Sequence, residues 1–442
     1  MKIRLAYTVA SVVIVASVSV LIVEMMAFGY AVLVSLGILS PHSRIITLPT
    51  LNKYFVSSDS ITYDPIAGYL YKKKELRTVH ISGGIVSYDN MVPINNAGFV
   101  SRYDFAEQKA PNVRRIAVLG DSFTAASFLP KNWPDALWAT LNADEGGPRY
   151  EIYNFGQEAN GIANWHSIFF GLIAKKYTPD TLIVAVYHDD LSRRYGVKHT
   201  VGGFGPIEGR LYFMRFPSIP TPEEVQANFP SLLRPLRRGP ISVLGQLRTD
   251  AEIDGFVDAT RKGEYWRYDY FGFYGTSAAL RGVSLAIHGE LNWLRAPEVR
   301  TSTPGEGAPS KDSLPGRTPK EKLERLTVPW GVALLEEIID YCKQNGIEVI
   351  LSSIPDKDLL SEALKRNSTS EFDQIFRAYA SHHEIRFFSG ERVFSSVRSE
   401  DLVRDYYLKN DPHWNDLGST RYAMKMADFI KSGDRVGPDT AP

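Results

Sequence analysis

Apolar residues recur along this chain in two registers. Short runs bounded by turn residues, Ile116–Leu119, Tyr150–Tyr153, Thr181–Tyr187, Glu348–Ser352 and Ile385–Phe388, read as buried strands of a parallel sheet. Between them lie stretches with helical spacing. These are Trp133–Leu141, then Ile162–Lys176 with Ile168, Phe169, Leu172 and Ile173 on one side, then Trp330–Gln344, a helix around Phe372–Ala380, and a last one carrying Ala423, Met426, Ala427 and Ile430. The alternation predicts an α/β domain. It breaks between about 195 and 320. There Thr221-Pro-Glu-Glu starts a helix, Arg234–Arg248 is basic, Tyr265–Tyr274 is densely aromatic, and Thr301–Lys320 has the Ser, Pro, Gly and Lys content of a mobile loop. Two separate domains would also fit the break. One domain with an insertion fits better, because the first three strands have no evident way to complete a core alone. No internal repeat is evident.

The amino terminus has a different pattern. Leu5–Val23 is an uncharged apolar run behind Lys2 and Arg4, long enough for a bilayer and oriented by its cations to leave the amino terminus in the cytoplasm. A cleaved signal peptide is the rival, but no small-x-small site follows, and apolar sequence resumes at Met25–Leu39 after Glu24. The expected organisation is an anchor and its apolar continuation at 1–44, and a turn-rich juxtamembrane lead-in at 45–110. The α/β domain follows in two parts, 111–194 and 325–432, around an insertion at 195–324, with a tail at 433–442. A single-pass chain of this kind places its domain outside the cytoplasm; a second crossing by 25–39 would reverse that.

Composition narrows the rest. The chain has 442 residues, 44% hydrophobic and 23% charged, a globular balance with enough apolar surface for a sizeable core. Formal net charge is zero, so nothing suggests a nucleic-acid partner, and a single cysteine, Cys342, excludes an intrachain disulfide.

Candidate chemistry centres on Gly120-Asp121-Ser122, at the carboxyl end of the first strand. A serine at such a strand-to-helix turn lies where open α/β sheets bind ligands, with its own N–H near a helix amino terminus. An ordinary loop with a capping residue would look the same. A serine nucleophile needs a base, an orienting acid and donors for an oxyanion. Of nine histidines, His42 and His80 precede the α/β core, and His199 and His288 lie in the insertion. His382 and His383 end a helix, and His166 lies inside one. His188 ends a strand on the correct edge. His413 follows the last strand, two residues after Asp411, close enough for the carboxylate to accept from Nδ1 and leave Nε2 free. That pair could equally be half a metal site or a helix cap.

Gly120-Asp-Ser122, the turn Asn154–Gly161, the strand-end Asp189-Asp190 and Asp411-Pro-His-Trp-Asn-Asp-Leu-Gly418 come in the order of the four blocks of SGNH (GDSL-type) hydrolases, which this chain resembles over about 110–192 and 325–432. Asn95-Asn-Ala-Gly-Phe99 resembles a lead-in of membrane-anchored bacterial members. The resemblance implies a three-layer α/β/α fold with a parallel, flavodoxin-like sheet and no cofactor. It makes Ser122 the nucleophile, His413 the base and Asp411 its orienter. The oxyanion would be held by the N–H groups of Ser122 and Gly161, with Gly156 as the alternative glycine. The family's third donor is an asparagine where this chain has Asp189. A carboxylate there accepts rather than donates, so Asp189 must be held neutral by burial, or the hole must work with two donors. The implied activity is a serine esterase or O-acyltransferase acting on an acylated cell-envelope or exported polysaccharide. A non-catalytic binding protein of the same fold is the alternative, and a metal-dependent hydrolase using His188, Asp189, Asp190 and His413 is a third. The aromatic run could stack on carbohydrate or fill the insertion's core. The basic run reads as a solvated helix face or a patch for anionic lipid.

Overall fold

The computed structural model describes residues 2–35, 52–57, 60–72, 74–82, 85–143, 147, 149–201, 210–228, 241–263, 317–408 and 411–433. The aromatic run at 265–274, most of the loop expected at 301–320 and much of the basic run at 234–248 lie outside them. The chain divides into two compact units. One comprises Met1–Lys53, Ile81–Val86 and Asp254–Gly316; the other comprises Tyr54–His80, Ser87–Ile253 and Arg317–Pro442. In the first, Lys2–Ser35 is one continuous helix. Val12, Ile14, Val15 and Met25 on it are exposed. The expected anchor, Leu5–Val23, lies partly outside the residues whose side chains are described, and among the described residues no helix is long and apolar enough to cross a membrane.

Among the described residues thirteen strands follow in chain order: β1 (Asn52–Ser57), β2 (Ile61–Thr62), β3 (Leu70–Tyr71), β4 (Glu75–Ser82), β5 (Ile85–Pro93), β6 (Val113–Gly120), β7 (Arg149–Asn154), β8 (Thr181–Val186), β9 (Tyr195–Val201), β10 (Arg210–Phe216), β11 (Ile241–Arg248), β12 (Glu348–Ser353) and β13 (Arg386–Ser389). Five of them make a wholly parallel sheet in the order β13-β12-β8-β6-β7. Counted within that sheet alone, this is the flavodoxin-like order 2-1-3-4-5, with its switch point between β6 and β8.

Alternation along each strand assigns its side chains to two cores. Ala117, Leu119, Leu182, Val184 and Leu351 pack against Trp165, Phe169 and helices Pro329–Gln344 and Glu371–His382. Ile116, Val118, Ile183, Ala185 and Ile350 pack against helices Trp133–Leu141 and Asp416–Ser432. These are the two outer layers of an α/β/α stack, each strand buried on both faces.

Three expectations need correction. The helix starting at Ile162 is α-helical only to Ile168 and continues as a π-helix, Phe169–Tyr177. The loop expected to run to Lys320 gives way to helix Pro319–Leu326, because Thr318 and Glu321 form a reciprocal capping box at its start. The basic run, expected as a helix face, ends in strand β11, Ile241–Arg248, which ties the insertion to the lead-in. Their strands form one six-stranded sheet, β5-β4-β1-β11-β10-β9, in which β1 runs parallel to β11.

Candidate active site

Ser122 is the first residue of a four-residue helix, Ser122–Ala125, directly after β6. Asp121 caps that helix through a hydrogen bond from the Phe123 N–H at 3.0 Å, and Ala126 closes it in the left-handed conformation at φ 42°. Gly120 is required at the bend, since a Cβ there would lie 2.1 Å from Thr124 Oγ1. The Gly120 carbonyl accepts from the Gln157 N–H and the Trp165 Nε1–H, both at 3.1 Å. The serine turn is thereby tied to the loop that carries Gly161.

His413 arrives from the far end of the sequence on a pinned loop. The Leu408 N–H donates to the His413 carbonyl at 2.9 Å, Tyr407 pairs with Trp414, and Asn415 caps helix Asp416–Ser432 through the N–H groups of Leu417 and Gly418. Ser122 Oγ lies 2.7 Å from His413 Nε2. On the other side of the ring, Nδ1 lies 2.6 Å from Asp411 Oδ1, which also accepts the His413 N–H at 2.9 Å. A carboxylate at Nδ1 keeps the proton there and leaves Nε2 as the acceptor. Phe123 and Phe128 hold the imidazole, with ring centroids 4.8 and 4.5 Å away.

A second histidine meets the same carboxylate. His80 Nδ1, from β4, lies 3.2 Å from Asp411 Oδ2. Burial raises the cost of charge on Asp411, but contacts from His413 and His80 outweigh it and hold the acid well below the usual carboxylate range. Sequence reasoning set His80 aside because it precedes the α/β core. No local signal marks it, since the contact depends on where β4 lies in space.

The oxyanion candidates are placed as follows. The N–H groups of Ser122 and Gly161 have no hydrogen-bond partner among the described residues, whereas the Gly156 N–H donates to Asn154 Oδ1 at 2.9 Å. Of the two glycines, Gly161 is the one with a free donor. The burial that would hold Asp189 neutral is not present. Its carboxylate is 51% exposed and ion-paired with Arg193 Nη2 at 2.6 Å. The buried member of the pair is Asp190, whose carboxyl is pushed well above the ordinary range by burial, with Arg193 opposing. Asp190 accepts the Tyr187 N–H at 2.7 Å and thereby closes the turn after β8.

The four residues of the metal reading divide between other partners. Asp189 and Asp190 face Arg193, His413 faces Ser122 and Asp411, and the His188 ring packs at a tilt against Tyr187. Among the described residues no group of three or more His, Cys, Asp or Glu is arranged to hold a metal ion. A cleft of about 620 Å³ is lined by His166, Arg194, Tyr195, Ile219 and Trp330 among others, and by none of Ser122, Asp411 or His413.

No family model and no curated protein matches the sequence. Among solved structures, the chain is similar to Axe2, an acetylxylan esterase from Geobacillus stearothermophilus, at 11% identity and a TM-score of 0.33, covering 73% of this chain and 94% of that one. It is similar also to LAE5, an alpha/beta hydrolase enzyme from the metagenome of Lake Arreo, Spain, at 13% identity and a TM-score of 0.32, covering 74% and 97%. Likeness this distant carries no argument about chemistry, which must come from the residues themselves.

Proposed function

We propose that this chain is a serine esterase that forms an acyl-enzyme on Ser122, with His413 as general base and Asp411 as its orienting acid. The observation that carries the reading is the continuous contact from Ser122 Oγ to His413 Nε2 at 2.7 Å and from Nδ1 to Asp411 at 2.6 Å, within the reach general-base transfer needs. The acceptor-type Nε2 takes the hydroxyl proton as Oγ bonds to the ester carbonyl carbon. The carbonyl oxygen becomes an oxyanion, with the free N–H groups of Ser122 and Gly161 as its donors. The imidazolium, stabilised by Asp411, then returns its proton to the departing alkoxide, leaving the acyl group on Ser122. Water, or a hydroxyl of an acceptor, loses its proton to His413 and attacks that ester, which frees the serine.

An acylated carbohydrate of the cell envelope or an exported polysaccharide is the proposed substrate, with O-acyl transfer to a sugar hydroxyl as the variant outcome. This part rests on the sequence resemblance and on the proposed membrane attachment through Leu5–Val23, which would hold the domain outside the cytoplasm. Asp189 is the observation that favours a second reading, a binding protein of the same fold without turnover, because the acid stands where the family has an amide donor. Labelling with a fluorophosphonate probe separates the two. The full-length chain is expected to label and the Ser122→Ala variant to lose the label together with turnover of p-nitrophenyl acetate. A wild-type chain that neither labels nor turns over would leave the binding reading.

A further inference from the structure

We propose that Arg193 is the positioning residue of the oxyanion site, organising the Gly161 N–H and neutralising the acids that surround it in place of a third donor. The proposal rests on the reading that Ser122 is acylated. Arg193 follows the turn after β8, and its side chain is only 14% exposed. Its guanidinium meets groups from three separate segments. Nη1 lies 3.2 Å from Asp121 Oδ2, the residue before the serine, and donates to the Asn160 carbonyl at 3.0 Å. Nη1 also lies 2.6 Å from Asp190 Oδ1, and Nη2 donates to Asp189 Oδ1 at 2.6 Å.

The contact with Asn160 has a particular consequence. The Asn160 carbonyl and the Gly161 N–H belong to one peptide unit. A cation on the oxygen fixes the plane of that peptide and draws electron density from its nitrogen, making the N–H a stronger donor. Arg215 does the same one peptide earlier, with Nη2 donating to the Ala159 carbonyl at 3.0 Å. Ala159 sits at φ 63°, a conformation that alanine adopts only when its surroundings hold it there. Arg193 also packs on the glycine itself, since a Cβ at 161 would lie 2.6 Å from Arg193 Cβ and 2.4 Å from the Asp190 carbonyl. Two arginines therefore hold consecutive carbonyls of the segment leading into the donor.

The second consequence is electrostatic. An oxyanion forming beside Asp121 and Asp189 would meet like charge, and a guanidinium shared between them removes much of that repulsion. The acid at 189 is then tolerable beside the oxyanion, and the missing amide is replaced by charge balance and by a better donor.

The test is steady-state hydrolysis of p-nitrophenyl acetate by the full-length chain and by R193K, R193M, D189N and R193M/D189N, with S122A as the reference and melting temperatures recorded for all. R193M is expected to lower kcat about 10²-fold with little change in KM, the size of a lost oxyanion donor. R193K, which keeps the charge without the planar fork, should fall between. D189N should raise kcat, and R193M/D189N should regain about tenfold over R193M, since removing the acid restores the charge balance and supplies an amide. That recovery is what a purely structural arginine would not give. A folded R193M with wild-type kcat overturns the proposal, as does a loss that tracks melting temperature and is not recovered by D189N. If R193M does not fold, wild-type kcat in a folded R193K does so instead. Full turnover by S122A overturns the acyl-enzyme reading itself, whereas an inactive S122A beside an unimpaired R193M removes only the role given to Arg193.

Discussion

The acid of the site is held in its ionised form by two imidazoles. Asp411 takes the His413 Nδ1–H at 2.6 Å through one oxygen and has His80 at 3.2 Å from the other. An amide there would present either an oxygen without charge or an NH2 group that forces the wrong tautomer on His413. Asp411→Asn is therefore expected to leave the fold intact and lower kcat by roughly 10⁴-fold, as tautomer loss does in serine hydrolases generally, measured as p-nitrophenyl acetate turnover. A loss below about tenfold would mean that the acid only packs. The pairing of Asp411 with His413 was legible because the two are two residues apart on one loop. His80 and Arg193 were not legible. Each is an ordinary polar residue in its local sequence, and its role comes from side chains brought together by the fold.

At the scale of elements, the strands of the parallel sheet were legible because residues alternate between two buried faces. Ala117 and Leu119 go to one core, Ile116 and Val118 to the other. A run apolar at every position is what both-face burial requires. The sheet built from the lead-in and the insertion was not legible. Its defining contact, β1 with β11, joins segments far apart in sequence, and its strands share no common signature: Leu211–Met214 of β10 are all buried, whereas β5 has one buried residue. The helix Trp133–Leu141 was read to the residue, and it contains a titratable group that sequence reading passed over. Burial pushes the Asp135 carboxyl up from 3.8 to about 6, against hydrogen bonds from the Arg102 N–H and the Ser101 hydroxyl. The folded state thus binds this proton more tightly than the unfolded chain. Its contribution to stability is complete below about pH 3.8 and is lost as pH rises through about 6. The difference is at most about 3 kcal/mol. Asp135→Asn is a neutral isostere whose amide can accept from Arg102 and donate to Ser101. It is expected to flatten the decline of the urea midpoint between about pH 4 and 6. An unchanged slope would show that Asp135 is ionised in the folded protein throughout that range.

For the whole molecule, the fold and the amino-terminal helix make different demands on where the chain resides. The fold itself needs no membrane, since both cores of the α/β/α stack close on their own side chains. The amino-terminal helix is a different case. Val12, Ile14, Val15, Leu21 and Met25 are each at least 60% exposed on it, and a contiguous apolar surface of that kind marks a membrane or a partner. An apolar side chain at the centre of an inserted helix contributes about 0.3–0.6 kcal/mol, and an arginine there costs about 2.5–3.5 kcal/mol. If the proposed attachment through Leu5–Val23 holds, the chain is expected to sediment with membranes, to stay there through an alkaline carbonate wash and to leave only with detergent. Val13→Arg with Ile14→Arg, in the unit that does not carry Ser122, is expected to move the chain into the soluble fraction while turnover of a soluble ester is kept. Release of the wild-type chain by carbonate would show that the helix binds a peripheral partner. Recovery of a chain that begins beyond residue 23 would show instead that the segment is removed as a signal. Either result would withdraw the membrane from the substrate argument and leave the chemistry of Ser122, His413 and Asp411 where it stands.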